Sequence, residues 1–201
     1  MNRDAYNAIV EAWDVARTAL NGRERRYLDA FLDGLTPDSH ILDLGCGTGR
    51  PVAEAVLARG HRVTGVDQAE NLLLRARARF PQASWVESRI QDFDSPARFA
   101  GIICWDALFH IDRAEHAAVF ERVSKLLLPG GRFMLTVGGS EHPAFTDTMF
   151  GREFFYDSHP PEKALELLVA RGFLPLLADF IDEPTGGRDK GRYAIVAMLG
   201  S

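Results

Sequence analysis

The chain has 201 residues, a formal net charge of −5 and an ordinary globular composition, with 46% hydrophobic and 25% charged residues. This length predicts one domain with a full hydrophobic core, and this composition argues against wholesale disorder. The acidic balance gives the surface no general attraction for nucleic-acid phosphates, and two cysteines are too few for a disulfide framework.

The sequence carries no recognisable targeting or membrane-spanning segment. No apolar run approaches the roughly 20 residues that a bilayer-spanning helix needs, and the first residues lack the pattern of a secretory signal. A reducing compartment is the default for a chain with so few cysteines. We therefore expect a cytoplasmic protein that does not bind membranes.

Apolar residues at three- and four-residue steps predict two helices before residue 36, the first over Tyr6 to Leu20 and the second over Tyr27 to Leu35. From residue 41 onward, short apolar runs alternate with helical patterns. The predicted strands are 41–44, 62–66, 84–87, 100–104, 132–137, 173–181 and 192–199, and the predicted helices are 49–59, 72–80, 113–127 and 161–171.

This alternation predicts one α/β domain built on a doubly wound, mostly parallel seven-stranded sheet with helices on both faces. No helix separates the last two strands, so we expect them to form a C-terminal antiparallel hairpin. The N-terminal helices are additions to this core, and 138–159 is a long connection rich in aromatic residues.

Three alternating glycines follow the first strand, in the segment Asp43-Leu44-Gly45-Cys46-Gly47-Thr48-Gly49-Arg50. Such a loop lets a ligand approach the backbone closely at a helix N-terminus. A dinucleotide-binding loop needs its third glycine at position 50, where this chain has arginine. The acid at position 43 suits a ligand with a cationic amine and disfavours a diphosphate. Spacing and charge both argue against NAD.

The pattern Asp43-x-Gly45-x-Gly47-x-Gly49 resembles the first motif of the class I S-adenosylmethionine-dependent methyltransferases. The resemblance covers about 41–137 and reaches the ends of the chain only through the order of elements. It implies that S-adenosylmethionine is the cofactor and that the glycine loop cradles its methionine part. The late antiparallel strand of that family agrees with the predicted hairpin.

The resemblance also assigns residues after the next strands to the cofactor. Asp67 ends the second strand, where one carboxylate accepts hydrogen bonds from both ribose hydroxyls, although a solvated strand-end aspartate is the alternative. Asp92 matches the acid that binds the adenine amino group, although it also suits a turn or helix cap. The cofactor-binding residues so predicted are Asp43, Gly45, Cys46, Gly47, Thr48, Gly49, Asp67, Gln68, Gln91, Asp92, Phe93 and Cys104.

A sulfonium methyl group is already activated, so alignment of the acceptor matters more than a base. His110, after the fourth strand, is the candidate general base because an ordinary histidine pKa of about 6.5 suits proton removal near neutrality. The alternative is a histidine that packs at the sheet edge or caps a helix. His142 and His159 are weaker candidates.

The long connection, the loop 182–191 and the N-terminal helices can together cover the carboxyl ends of the strands. Their aromatic residues predict an apolar-walled pocket with a few polar groups, the usual arrangement for a small molecule. The predicted substrate residues are Tyr6, Trp13, His142, Phe150, Tyr156 and Arg188. The chain then divides into an N-terminal helical cap (1–36), a cofactor-binding half (37–137) and a substrate-side insertion with the hairpin (138–201).

Two features argue against a nucleic-acid acceptor. The fourth strand is followed by Trp105-Asp106-Ala107-Leu108, without the Pro-Pro pair that is typical of base and amide methylation, and the chain has only three lysines. We therefore predict methyl transfer to an oxygen, or less favourably a nitrogen, of a small metabolite, with no metal ion. An NAD(P)-dependent oxidoreductase and a non-catalytic cofactor-binding domain are the alternatives, and monomer and homodimer both stay open.

Overall fold

A computed structural model describes residues 2–187 and 189–200. The strands of the main sheet are β1 (His40–Leu44), β2 (Arg62–Asp67), β3 (Ser84–Glu87), β4 (Phe99–Cys104), β5 (Leu127–Gly138), β8 (Phe173–Asp182) and β9 (Arg192–Leu199). A separate hairpin consists of β6 (Phe145–Met149) and β7 (Arg152–Tyr156).

The helices are α1 (Arg3–Ala8), α2 (Val10–Ala16), α3 (Gly22–Leu32), α4 (Val52–Leu57), α5 (Glu70–Arg79), α6 (Arg113–Leu126) and α7 (Pro161–Val169), with a 3-10 turn at Leu108–His110. Within the described ranges, none of these helices combines the length and apolar character needed to cross a membrane.

The main sheet has the strand order β3-β2-β1-β4-β5-β9-β8. Strands β1 to β5 pair in parallel, whereas β9 runs antiparallel to both β5 and β8. The predicted fold class is thereby confirmed. The chain order reverses between β1 and β4, and open α/β sheets bind ligands at such a point, beyond the carboxyl ends of the strands.

Successive residues of the central strands point into two hydrophobic layers, one on each face of the sheet. Leu42 and Ile102 pack with α6 and α7, whereas Ile41 and Ile103 pack with α3 and α4. All four side chains are fully buried. Because both faces are covered, the residues that carry chemistry concentrate at the strand ends.

Two segments differ from their sequence-based predictions. The first predicted helix is broken at Ile9 and ends at Ala16, so α1 and α2 are two short helices. The long connection contains the hairpin β6–β7, whose turn residues Phe150 and Gly151 have φ values of 49° and 74°. Two residues with positive φ match the right-handed twist of a tight hairpin.

Candidate active site

The glycine loop leaves β1 at Leu44 and turns over the end of β2. Gly45, Gly47 and Gly49 have φ values of 81°, 55° and 78°, a region that favours glycine. A Cβ on Gly45 would lie 2.4 Å from the Cβ of Ala107. The alternating glycines are therefore required both by backbone conformation and by the close approach of the loop that follows β4.

Asp67, the last residue of β2, connects this loop to the sheet through hydrogen bonds. The Gly47 N–H donates to Oδ2 at 2.9 Å, and the Ala69 N–H donates to Oδ1 at 2.8 Å. Burial raises the pKa of Asp67, and these amide hydrogen bonds oppose that rise. The backbone amide of Gln68 also donates to this carboxylate. A carboxylate has about four acceptor sites, so acceptor capacity is left for a ligand.

Asp43 lies one residue before the end of β1 and is buried. Its Oδ2 atom has no hydrogen-bond partner among the described residues. Burial and the nearby Asp67 carboxylate raise the pKa of Asp43 to about 7. A buried carboxyl group without a partner is costly, and a cationic or hydrogen-bond-donating ligand would offset that cost. A ligand with an ammonium group, such as S-adenosylmethionine, fits this position.

A cleft between the ends of β1, β2 and β4 collects ten of the residues predicted from the sequence: Tyr6, Trp13, Asp43, Gly45, Cys46, Gly47, Asp67, Gln68, Gln91 and His110. Other residues in its lining were not predicted, among them Arg17, Ile90, Trp105 and Asp106. Trp105 and Asp106 directly follow β4. Because ligands bind beyond the carboxyl ends of the strands in such sheets, this position in the sequence could have identified both residues.

Five predicted cofactor residues do not line the cleft: Thr48, Gly49, Asp92, Phe93 and Cys104. The Asp92 side chain is 62% exposed and lies 3.6 Å from Arg89. The Phe93 N–H donates to the Arg89 carbonyl at 3.1 Å. These residues follow β3, an edge strand whose side chains are largely exposed, so the sheet does not hold them over the cleft.

His110 lines the cleft, but protein groups contact both of its ring nitrogens. Nε2 lies 2.9 Å from the Tyr6 hydroxyl, and Nδ1 lies 2.8 Å from Asn2 Nδ2 and 3.0 Å from the Phe155 carbonyl oxygen. Burial lowers the pKa of His110 to about 4. The ring is therefore neutral near pH 7 and a weak base, and the Tyr6 hydroxyl stands between Nε2 and the cleft.

The segment 2–17, which we call the N-terminal cover, lies over this cleft. Tyr6, Trp13 and Arg17 line it from that side. The cover is held largely by polar contacts, including two hydrogen bonds of 2.9 and 2.7 Å from Arg79 to Asp14. The cleft under the cover has a volume of about 80 Å³. Ligand sites usually measure about 300–1,000 Å³, so a ligand of adenosyl size needs a wider cleft than this one, and the N-terminal cover forms one of its walls.

A cluster of ion pairs borders the cleft. Asp106, with a φ of 51°, lies 3.0 Å from Arg17 Nη2 and 2.8 Å from Arg192 Nη1. The buried Glu24 carboxylate lies 3.1 Å from the same Arg192 atom. Burial alone would lower the pKa of the Arg192 guanidinium, but the carboxylates of Asp106 and Asp182 raise it above its ordinary value. Charges from five separate segments thus meet beside the cleft.

A second cavity of about 880 Å³ lies beside the first, between the hairpin β6–β7, the end of β5 and the loop 182–191. Two predicted substrate residues, His142 and Tyr156, line it. Phe150 does not, because it occupies the tip of the hairpin and faces a surface groove next to α1, α2 and α5. Arg188 lies outside the described residues. The predicted substrate residues that the structure describes therefore lie in three separate sites: the cleft, the second cavity and the surface groove.

Comparison with known proteins agrees with this geometry. Residues 41–131 match the family model described as a methyltransferase domain. A ubiquinone biosynthesis O-methyltransferase of Xylella fastidiosa is 32% identical over 122 residues, which cover 58% of this chain and 48% of that protein. The chain spans about half the length of the curated relatives that it matches first.

Solved structures share the fold over nearly the whole chain. The 1,6-didemethyltoxoflavin-N1-methyltransferase of Burkholderia thailandensis, with bound 1,6-didemethyltoxoflavin and S-adenosylhomocysteine, superimposes with a TM-score of 0.72 at 22% identity, covering 98% of this chain and 85% of that one. An S-adenosylmethionine-dependent methyltransferase of Clostridium acetobutylicum gives a TM-score of 0.75 at 16% identity, covering 98% and 100%. Residues 41–131 thus match a methyltransferase domain, and the sheet order is the fold that this chain shares with S-adenosylmethionine-dependent methyltransferases of known structure.

Proposed function

We propose that this protein transfers a methyl group from S-adenosylmethionine to an oxygen atom of a small molecule. The observation that carries the proposal is the pair of buried carboxyl groups, Asp43 and Asp67, at the ends of adjacent strands beneath a glycine loop. One of them has an oxygen without a partner, and the other has acceptor sites left for ribose hydroxyls.

Each residue has a definable task in this proposal. Asp43 binds the ammonium group, and Asp67 accepts hydrogen bonds from the ribose while holding the Gly47 amide. Gln91, whose Nε2 donates to Glu115 at 2.5 Å, and Ile90 lie where the adenine end would rest. When bound, S-adenosylmethionine supplies a methyl group activated by its sulfonium sulfur. The protein then contributes alignment and the exclusion of water, which can account for about 7–11 kcal/mol of the barrier.

The choice of oxygen is supported by the curated relative from Xylella, which is named an O-methyltransferase. The choice of a small molecule is supported by the second cavity beside the cleft, which is large enough for an organic acceptor. The fold by itself does not select the acceptor atom, because folds host many chemistries.

Calorimetry with S-adenosylhomocysteine tests the cofactor half of the proposal. Asp67→Asn should weaken binding by about 1.5–3 kcal/mol, or roughly 10- to 100-fold, because hydrogen bonds to a charged acceptor are lost. Asp92→Asn is the matched control, and we expect less than about a threefold change because the structure places Asp92 outside the cleft. Equal losses of affinity for both variants would indicate that Asp92 also contacts the cofactor. Unchanged affinity for Asp67→Asn would contradict the contact between Asp67 and the ribose.

An acceptor screen tests the chemistry. The wild-type protein, S-adenosylmethionine and panels of phenols, catechols, carboxylic acids and anilines are incubated, and S-adenosylhomocysteine is measured by mass spectrometry. Turnover with hydroxyl compounds supports transfer to oxygen, whereas turnover with anilines alone shifts the assignment to nitrogen. Tight cofactor binding without turnover on any panel would indicate a non-catalytic domain.

A further inference from the structure

We infer that the second cavity is the acceptor site for a planar hydroxylated aromatic compound and that His142 Nε2 takes the hydroxyl proton. This inference rests on the proposed methyl transfer to oxygen. It concerns a cavity separate from the cofactor cleft and a histidine other than His110.

The position of the cavity suits an acceptor. Arg192 lines the second cavity and is bonded to Asp106, which lines the first. In the same wall, the ring of Tyr156 lies 4.8 Å from the ring of His110. The two cavities are therefore neighbours, and the side chains of Asp106, His110, Tyr156 and Arg192 lie between them.

The apolar part of the cavity consists of three rings in a row. Tyr156 stacks on Phe145 at a centroid distance of 5.3 Å with 16° between the planes, and on Phe109 at 6.3 Å with 27°. All three residues line the cavity. A wall of aromatic rings favours another aromatic ring, through edge-to-face or offset contact, over a flexible aliphatic chain.

His142 is held in one orientation beside this wall. Its side chain is buried, and Nδ1 lies 2.9 Å from the Pro143 carbonyl oxygen. The Phe145 ring meets it edge-on at 5.1 Å. The backbone carbonyl of His142 accepts a hydrogen bond from Arg113, which is itself paired with Asp157 at 2.5 Å. Backbone and ring are thus both positioned.

The hydrogen bond at Nδ1 decides which nitrogen is basic. A carbonyl oxygen only accepts, so Nδ1 must carry the proton, and in the neutral ring Nε2 then carries the lone pair. Nε2 has no hydrogen bond to any residue of the described ranges. His142 therefore offers an available proton acceptor, whereas both ring nitrogens of His110 are engaged.

The charged and titratable groups around the cavity do not block this role. Besides His142 and Tyr156, they are Arg23, Asp147, Asp157, Asp182, Glu183, Asp189, Lys190 and Arg192. Arg192 is paired with Asp182 at 2.7 Å, and the Lys190 ammonium lies 5.8 Å from the centroid of the Phe145 ring.

The proton and bond changes balance without a further reactant. The acceptor oxygen forms a bond to the methyl carbon while the bond between that carbon and the sulfonium sulfur breaks, and the sulfur keeps the electron pair. The hydroxyl proton passes to His142 Nε2 and then to solvent. A neutral amine needs no proton removal before attack, so a base at this position favours a hydroxyl acceptor.

4-Nitrophenol is a suitable probe because its phenolate absorbs visible light and its neutral phenol does not. The probe is titrated with the wild-type protein, with His142→Gln and with His159→Gln as the control from the same segment. At a pH where the free probe is mostly neutral, we expect a lower phenolate-to-phenol ratio for bound probe in His142→Gln than in wild type, by about tenfold. His159→Gln should match wild type.

The outcomes separate this inference from the proposed function. Failure of the probe to bind, or an equal phenolate ratio in all three proteins, would overturn the role of His142. The phenolate ratio could depend on His142 although the protein transfers no methyl group. That result would support the assignment of the cavity and contradict the proposed function. A general base contributes about a hundredfold or more to the rate. If His142→Gln lowers the rate of methyl transfer to a hydroxyl by less than about tenfold, His142 is not a general base.

Discussion

Asp106 and Arg192 form a two-oxygen ion pair in the wall between the two cavities, with Arg192 Nη1 3.0 Å from Oδ1 and 2.8 Å from Oδ2 of Asp106. Asp106 follows β4 and Arg192 begins β9, so the pair joins the central sheet to the C-terminal hairpin. Glu24 and Asp182 also contact Arg192, so one guanidinium contacts three carboxylates, two of which also contact Arg17.

Replacing Arg192 with methionine should destabilise the fold. The variant leaves the buried Glu24 and the largely buried Asp106 with Arg17 as their remaining contacting cation. We expect a loss of about 2–3 kcal/mol in the free energy of unfolding, below the 3–5 kcal/mol of a fully buried pair because the side chains are partly exposed. Urea denaturation measures it. Arg59→Met, which removes a more exposed pair with Asp29, should cost no more than about 1 kcal/mol, and equal losses would contradict a special role for Arg192.

Loosening the N-terminal cover should speed ligand exchange. Arg79 holds the cover through Asp14, so Arg79→Met should raise amide hydrogen exchange in residues 3–17 and accelerate both association and dissociation of S-adenosylhomocysteine. Trp13 lies over the glycine loop, 3.4 Å from the position of a Cβ on Gly47, and its fluorescence can report the kinetics. Arg77→Met is the control, since Arg77 pairs with Glu70 inside α5. Unchanged exchange in Arg79→Met would mean that the cover is held by other contacts.

The Asp43 carboxyl group should contribute a loss of stability to the ligand-free protein as the pH rises from about 4 to about 7. Burial raises the pKa of Asp43 to about 7, whereas an unfolded aspartate titrates near 3.9. Between these values the folded state holds a proton that the unfolded state has released, so this contribution to the free energy of unfolding falls as pH increases, by about 1.4 kcal/mol for each unit of pKa difference. The buried histidines His110 and His116, whose pKa values are lowered to about 4, act in the opposite direction below about pH 6.5. The contribution of Asp43 is therefore measured as a difference between wild type and a variant.

Urea denaturation of wild type and of Asp43→Asn at pH 5, 6, 7 and 8 checks this contribution. The free energy of unfolding of wild type relative to Asp43→Asn should fall from pH 5 to about pH 7, because the amide does not titrate. The exposed Asp4→Asn should not reproduce this pH-dependent difference. A difference between wild type and Asp43→Asn that stays constant with pH would contradict a raised pKa for Asp43.

The fold class could be predicted from the sequence because each strand and each helix of the core has its own local pattern of apolar residues. The apolar runs before Gly45 and before Asp67 predict strands, and the absence of a helix between 181 and 192 predicts the antiparallel hairpin, which the structure confirms. The break at Ile9 and the hairpin around Phe150 were missed. The N-terminal helices contact residues far along the chain, as in the hydrogen bond between Tyr6 and His110, and no local pattern specifies such contacts.

The sequence by itself determined the alternation of strands and helices and the glycine-and-aspartate pattern at the strand ends, because backbone conformation and side-chain period act over a few residues. Tertiary structure decided which side chains face one another: that both nitrogens of His110 are engaged, that the Nε2 of His142 is available, and that Asp106 meets Arg192 across 86 positions of chain. The protonation states of these side chains depend on their burial and on their hydrogen-bond partners. Burial and partners arise only when distant segments of the chain pack together.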